Sequence, residues 1–539
     1  MSSSRDVPTV WLFEDQLNPN ATSLAEAPEG SPVLLIESDI NFRMFPFHKK
    51  RIAFLVSAMR HFANELETTG HTVAHYDFKP RGYRDSLSAL AHHFKGRKNR
   101  EIWITEPSEW HTRNWLETVP DRLDQEFDTP GVSIKWFPNR LFLTDRQHFA
   151  NWLSGRKRPV MEHYYRQMRV EHDLLMDDDK PAGGEWNYDK LNRKAAPKGH
   201  EFPKTVVHKP DEITKKVLKE VERRFPDHPG TTDGFNMPCD RKSAQKAFDT
   251  FVKDRLPLFG DYEDAMVSGE RTLYHSLVSP LINAGLVEPI DLCKRVEKAW
   301  KKGDVPINAA EGFIRQIIGW REFVYGIYWS LMPEYRARNP RDDDRPLPDF
   351  FWDGDTDMHC LSDSLTAVVE DGMSHHIQRL MVICNFATLA GLSPQAVNDW
   401  FLAMYVDSHD WVTVPNVIGM AMNSDNGVIA TKPYVSSANY INKMSDYCKP
   451  CRYDPKERIG PNACPFNYMY WTFVDDQRDQ FKKNPRTSRQ LHVLDNFGDK
   501  VKTEMHRLRE QFLRDLATGS YSSWEATHGR DEAEGHVVR

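Results

Sequence analysis

The sequence predicts a molecule in two parts, a parallel α/β unit followed by an all-helical unit, with a long connection between them. Three observations predict it. Short apolar runs alternate with helix-period segments over residues 1–135. Helical periodicity takes over from about Asp240 to Leu516, with few alternating β-branched runs. The stretch between is rich in Pro, Gly and Lys, and 539 residues exceed what one hydrophobic core usually organises.

In chain order, Thr9–Phe13, Pro32–Ser38, Thr72–Phe78 and Glu101–Glu106 read as strands buried on both faces. The segment KKRIAFLVSAMRHFANELETTG carries apolar residues at helical spacing and stops at Gly70, which suits a helix C-terminus. Ligands of such sheets sit beyond the carboxyl ends of the strands, where this chain places Asp15, Gln16, Glu37 and Glu106. Residues 136–235, with DDDKPAGGEW and KAAPKGHEFPK, read as an interdomain linker with short helices. Residues 236–518 form the helical domain, with AAEGFIRQIIGWREFVYGIYWSL and SDSLTAVVEDGMSHHIQRLMVICNFATLAG as its clearest helices, both too apolar for the surface. The polar residues 519–539 read as a flexible tail.

Composition narrows the function classes. No charged-then-apolar leader opens the chain, and its longest apolar run, LMVICNFATLAGL, is too short to span a bilayer. A soluble, cytoplasmic protein without a membrane partner is expected, and a reducing compartment weighs against structural disulfides. With 71 Lys and Arg against 78 Asp and Glu, bulk charge gives no reason to bind nucleic acid, so any such binding needs a local basic face. There is no G-x-G-x-x-G opening a helix and no Walker P-loop, so a nucleotide cofactor must be gripped in another way.

Cys448, Cys451 and Cys464 fall within SDYCKPCRYDPKERIGPNACPF. Thiolates at i and i+3 can face one centre, and a later Cys-Pro can fold back onto it, a pattern shared by zinc and iron–sulfur sites. A dithiol or coincidence remains the other reading. A fourth ligand must be remote, either Cys360 or Cys384, and Cys384 in its apolar helix is the better core thiol. In SHHIQRL, His375 and His376 stand one turn before Arg379, which can pair with Asp407 of YVDSHDW. A histidine beside a fixed cation is either a packed core pair or a proton donor near neutral pH. Most of the 15 tryptophans are explained by core packing, so the positions of Trp352 and Trp400 alone reveal no redox role.

Taken together, FEDQLNP, HKKRIAFLVSAMRHFA, TEPSEW, GRKRPVMEHYYRQMR, EGFIRQIIGWREF, HHIQRL, VPNVIGM and TKPYVSSANYINKMSDYC resemble the iron–sulfur bacterial branch of the cryptochrome/photolyase family, whose repair members are prokaryotic (6-4) photolyases. The resemblance covers all but the tail. It implies an N-terminal antenna domain, a linker, and a helical domain holding a U-shaped FAD and a [4Fe–4S] cluster on Cys360, Cys448, Cys451 and Cys464. It implies 6,7-dimethyl-8-ribityllumazine as antenna, near Asp15, Gln16, Glu37, Leu55 and Glu106. The flavin phosphates fall to His275, Ser276, Leu277 and Ser279, and the ring or substrate side to Glu311, Arg315, Gln316 and Trp320. Arg379 with Asp407, Thr413 and Asn416 complete that pocket.

By the same resemblance, His376 is the acid and His375 its support in light-driven repair of (6-4) photoproducts in UV-damaged DNA. Tyr434 and Tyr440 lie near the lesion, and Trp400 and Trp352 carry photoreduction. Asp189 and Asp264 match positions for Mg²⁺, with lone surface carboxylates as the alternative. Two departures stand out. Phe401 replaces a Tyr that relatives can carry, and Thr413 stands where relatives use an acid or amide toward flavin N5. A monomer is expected. The runner-up function is a blue-light photoreceptor of cryptochrome type, and a third is a cluster-bearing nucleic-acid-binding protein without photochemistry.

Overall fold

In the computed structural model, residues 6–78, 83 and 85–516 are described; the predicted tail lies outside them. Five parallel strands, β1 (Thr9–Trp11), β2 (Val33–Ile36), β3 (Val73–Tyr76), β4 (Glu101–Thr105) and β5 (Ser133–Phe137), form one sheet in the order β3-β2-β1-β4-β5. Four of these fall inside the four predicted runs. The fifth was not anticipated: its residues alternate between exposed and half-buried, as an edge strand allows, so it lacks the continuous apolar run that marks the others. Strand order reverses between β1 and β4, the topological switch point where such sheets open a ligand crevice.

Helix α1 (Lys49–Thr68) covers one face of the sheet. The predicted linker is more ordered than its composition suggests. It contains Arg146–Leu153, α2 (Met161–Glu171) and α3 (Glu212–Arg224), the last capped by Asp211 accepting from Thr214 N–H at 2.9 Å and packed on α1. Tyr164, Tyr165 and Arg169 of α2 are fully buried, so this helix belongs to the core.

In the helical part, the first predicted long helix is α4 (Ile307–Ile314) and α5 (Glu322–Leu331), joined through π-helical turns at Arg315–Arg321. The second is not one helix. Helix α6 (His359–Asp371) stops at Gly372, whose left-handed φ of 64° and N–H bond to Val368 O at 2.8 Å end it, and a new helical segment starts beyond Ser374. Helical periodicity on both sides of DGMS hid the break. That second segment carries π-helical turns at Gln378–Cys384 and leads into α7 (Asn385–Ala390). Helix α8 (Pro394–Met404), a third π-helical segment at Pro415–Ala421, α9 (Pro465–Asp476) and α10 (Asp499–Asp515) complete the unit.

One apolar core runs from the inner face of the sheet (Val10, Leu12, Leu35) through α1 and α2 to α5 and Trp411. A second surrounds Cys360, Trp400 and α9. A smaller one covers the other sheet face with Trp11, Ile102 and Leu116. Backbone bonds tie the α/β unit to the helices: Leu17 N–H to Ala284 O and His48 N–H to Ala403 O, both at 2.9 Å.

Candidate active site

All three π-helical segments carry residues expected at the flavin: Arg315, Gln316 and Trp320 on the first, Arg379 on the second, Asn416 on the third. A π turn widens the helix and breaks the regular direction of its side chains, which is why such turns gather at functional sites. No propensity in the sequence announces them.

Arg379 clamps Asp407 with both guanidinium nitrogens at 3.1 and 3.0 Å, and its Nε donates to Ser374 O at 2.8 Å. Burial would raise the Asp407 carboxyl, but Arg379 and the Ser279 hydroxyl, donating at 2.7 Å, outweigh it and hold the group below its ordinary range. Ser279 therefore spends its proton on Asp407, and Asn283 bonds the Asp407 carbonyl at 2.8 Å. Leu277 takes a left-handed φ of 57°, uncommon for a side chain of its size, beside Ser276. On α4, Glu311 is fully buried; it accepts from Tyr188 N–H at 3.0 Å and from Arg315 Nε at 3.1 Å. Asn416 turns its amide back to Val412 O at 2.8 Å, while the buried Thr413 hydroxyl has no partner among the described residues. That orphan hydroxyl fits a ligand group facing it.

His375 is buried and His376 has 46% of its side chain exposed, although they are neighbours in sequence. His376 Nε2 lies 3.3 Å from Asp264 Oδ1. The ring of His275, which the resemblance assigns to the phosphates, stacks on His375 at 4.7 Å and 14°. Burial, reinforced by neighbouring rings and Arg379, pushes both His275 and His375 well below the ordinary imidazole range, so both are neutral. Tyr440 and Tyr434 stand nearby, half-buried: Tyr440 feels Asp264 and Asp189, Tyr434 feels Asp189, and burial raises both phenols. Asp189 is bound by Arg193 and approached by Arg315 at 3.5 Å. Beside it, burial raises Glu263 to about 7, against the opposing charges of His376 and Arg315. Glu263 was missed in the sequence, where nothing separates it from any other surface-helix glutamate.

Trp400 is 1% exposed; its Nε1–H donates to Phe351 O at 3.0 Å, and Trp352 follows Phe351 directly. Phe401 stacks on Tyr405 at 4.9 Å and 4°, and the Arg379 guanidinium lies 4.1 Å over the Tyr405 ring. The phenol missing at position 401 is thus present one stack away.

Cys360, Cys448, Cys451 and Cys464 line a single cavity with Met358, Tyr447, Tyr453 and Phe466. Burial raises the Cys360 thiol, and the three other sulfurs raise it further by their proximity. Backbone N–H groups of Phe466 and Asn467 point at Cys464. Cys384 does not line this cavity; burial raises its thiol against the opposing charge of Arg379. All seven cysteines are free thiols.

At the sheet, Asp15, Gln16 and Glu106 converge on the switch point. Asp15 bonds Ser108, and burial raises it to about 6. Gln16 Nε2 donates to Thr105 O at 3.0 Å, and among the described residues its buried Oε1 has no partner. Glu106 pairs with Arg146 at 3.4 Å. Leu55, 3% exposed, packs in the α1 core. Glu37 stands in a tight ion cluster: Arg60 grips it through two bonds of 2.8 Å and His75 lies 2.9 Å away, enough to overcome burial and keep it below the ordinary carboxylate range.

The chain is 42% identical over 516 residues to the (6-4) photolyase of Agrobacterium fabrum, covering 94% of this chain and 99% of that one. This chain belongs to the cryptochrome/photolyase family. The family described as deoxyribodipyrimidine photo-lyase-related protein also matches residues 10–237. Two solved members share its fold: a bacterial class III photolyase from Agrobacterium tumefaciens (14% identity, TM-score 0.56, covering 98% of this chain and 99% of that one) and a Synechocystis cryptochrome (13%, TM-score 0.53, 98% and 100%). Within the photolyase frame, the helical half carries the Arg379–Asp407 pair and the histidines, and the α/β half carries the crevice at Asp15. Among the described residues no helix is long and apolar enough to cross a membrane.

Proposed function

We propose that this photolyase reverses (6-4) pyrimidine–pyrimidone photoproducts in UV-damaged DNA, with His376 as the proton donor. One observation carries the reading: His376 is exposed and stands 3.3 Å from Asp264, whose charge also reaches Tyr440, while the neighbouring His375 is buried. An exposed ring can reach a lesion flipped out of the duplex, which a damaged pair makes cheaper to extrude. Bound FAD in its reduced form would supply the electron when excited. His376 protonates the lesion hydroxyl, which then departs as water, and Asp264 holds the ring through this transfer. The buried His375 excludes solvent on the far side. Trp352 and Trp400, with Tyr405 stacked on Phe401, form the route for reducing oxidised flavin.

The four converging cysteines fit a [4Fe–4S] cluster, whose sulfurs accept backbone N–H bonds as those at Cys464 do. Asp15, Gln16, Leu55 and Glu106 fit a polar heterocycle such as a ribityllumazine antenna, supported by the orphan Gln16 carbonyl. For Mg²⁺ at Asp189 and Asp264, the carboxylates are present, with Arg193, Arg315 and His376 as competitors.

The test is illumination of a (6-4)-containing oligonucleotide with pre-reduced wild type, His376→Ala and Trp400→Phe. Loss of the donor is expected to cost about 10²–10⁴-fold in rate, with flavin photoreduction retained. Trp400→Phe is expected to slow photoreduction and leave repair by pre-reduced protein intact. Wild type that restores no thymines would end the repair reading in favour of a photoreceptor.

A further inference from the structure

His275, His375 and His376 do more than flank one another. One ring nitrogen from each lies within 4.8 Å of the other two. His275 and His376 ring centroids are 5.5 Å apart, and His375 and His376 are 6.1 Å apart. Nε2 of His275 and both ring nitrogens of His375 are buried and have no hydrogen-bond partner among the described residues. Buried imidazole nitrogens are normally satisfied. Here one nitrogen of His275 and one of His375 are left open beside His376, and that third ring reaches solvent.

We propose that His275, His375 and His376 form a three-imidazole site for a borderline divalent ion of the zinc or nickel type, with the Asp264 carboxylate fixing the His376 ring. Zinc takes imidazole nitrogens at about 2.0–2.1 Å in a tetrahedron, which sets the nitrogens roughly 3.4 Å apart. The rings must close by about an ångström, and two features permit this. His275 lies in the non-helical TLYHSLV stretch, and His376 is half exposed at the start of its helical segment. A carboxylate behind a metal-bound imidazole is the usual outer partner; Asp264, 3.3 Å from His376 Nε2, takes that place when Nδ1 binds the ion. Imidazole sites prefer zinc, nickel and copper to magnesium, so this site is distinct from a hard-cation site on Asp189 and Asp264. Two fixed cations stand near the rings: Arg379, which Asp407 neutralises, and Arg255, whose Nη1 donates to the His275 carbonyl at 3.4 Å and which the ion must tolerate.

The consequence, which alone rests on the repair reading, is inhibition. A nitrogen whose lone pair binds a metal cannot hold the transferable proton, so the ion would switch off proton donation while leaving flavin photoreduction intact.

The experiment uses flavin- and cluster-loaded protein. Calorimetric titration with zinc chloride is expected to show one tight site per chain, at least tenfold weaker in His275→Phe and unaffected by equimolar Mg²⁺. Should that variant lose its flavin, crystals of the wild type soaked in zinc decide the matter: anomalous scattering must place an ion within bonding distance of all three rings. Zinc found only at the cysteines, at surface histidines, or on fewer than three of these rings overturns the proposal. Zinc bound at the three rings with repair unimpaired upholds the site and refutes His376 as the donor.

Discussion

Glu263 shows what one buried carboxyl does to the stability of the molecule. Among the described residues its Oε2 has no hydrogen-bond partner, and Arg315 stands 3.9 Å away. Burial raises its folded value from 4.5 to about 7. The folded chain therefore holds this proton more tightly than the unfolded chain, and stability falls as pH rises through that window. Glu263→Gln is expected to match wild type below about pH 4.5 and to exceed it above pH 7, by up to about 3 kcal/mol. Melting temperatures of both proteins across pH 4–8.5 check this; a gap that does not change with pH would refute it. Glu37 has the opposite sign: Arg60 and His75 lower its value, so the stability it contributes is present at neutral pH and disappears on acidification. At this scale the sequence was partly legible. The cysteines, the histidine pair and Arg379–Asp407 stand in local patterns with chemical meaning, whereas Glu263 and His275 acquire theirs from His375 and His376, a hundred or more residues on, and Tyr405 from Arg379 and Ser374 across a helix break.

Elements were legible where a period runs unbroken and hidden where it is interrupted in phase. The four strands with apolar runs announced themselves, although β3, expected to be buried, is a half-buried edge strand; the alternating edge strand β5 and the break at Gly372 did not. That glycine has two constraints. Its φ of 64° is left-handed, and a Cβ there would lie 2.7 Å from Val406 Cγ2 and 3.4 Å from Met404 O. Gly372→Ala is expected to cost roughly 2 kcal/mol or more and, by displacing the start of the next segment, to impair repair through His375 and His376. Gly303→Ala is the comparison, since its φ of 82° carries backbone strain but its Cβ would meet open space. A smaller loss of melting temperature there, with repair intact, would separate the clash from the strain; equal losses would show that Val406 gives way. The π-helical turns mark the limit of such reading, because RQIIGWR, QRLMVIC and PNVIGMA share no residue pattern that sets them apart from the helices around them.

For the whole molecule, a net charge of −7 must coexist with a polyanionic substrate. Lys157, Arg158 and Lys432 line one cleft, and Arg486 and Arg193 lie close enough to depress the Lys432 ammonium after burial has done so. Binding to lesion DNA is expected to weaken with salt, and Lys432→Ala with Arg486→Ala to reduce the slope of log K against log salt by about one per lost phosphate contact. Unchanged slopes would move the interface elsewhere. Iron and sulfide analysis checks the cysteine cavity: about four irons per chain are expected, and zinc alone would overturn the cluster. The feature with the widest reach is the core that passes without interruption from β1 into α5 and Trp411, tied by Leu17 to Ala284 and His48 to Ala403. Two chromophores seated on either side of it would be held like lenses on one optical bench. Their transition dipoles could not tumble relative to one another, so the efficiency of resonance transfer between them should stay flat with temperature until the entire core melts, and then vanish in one step.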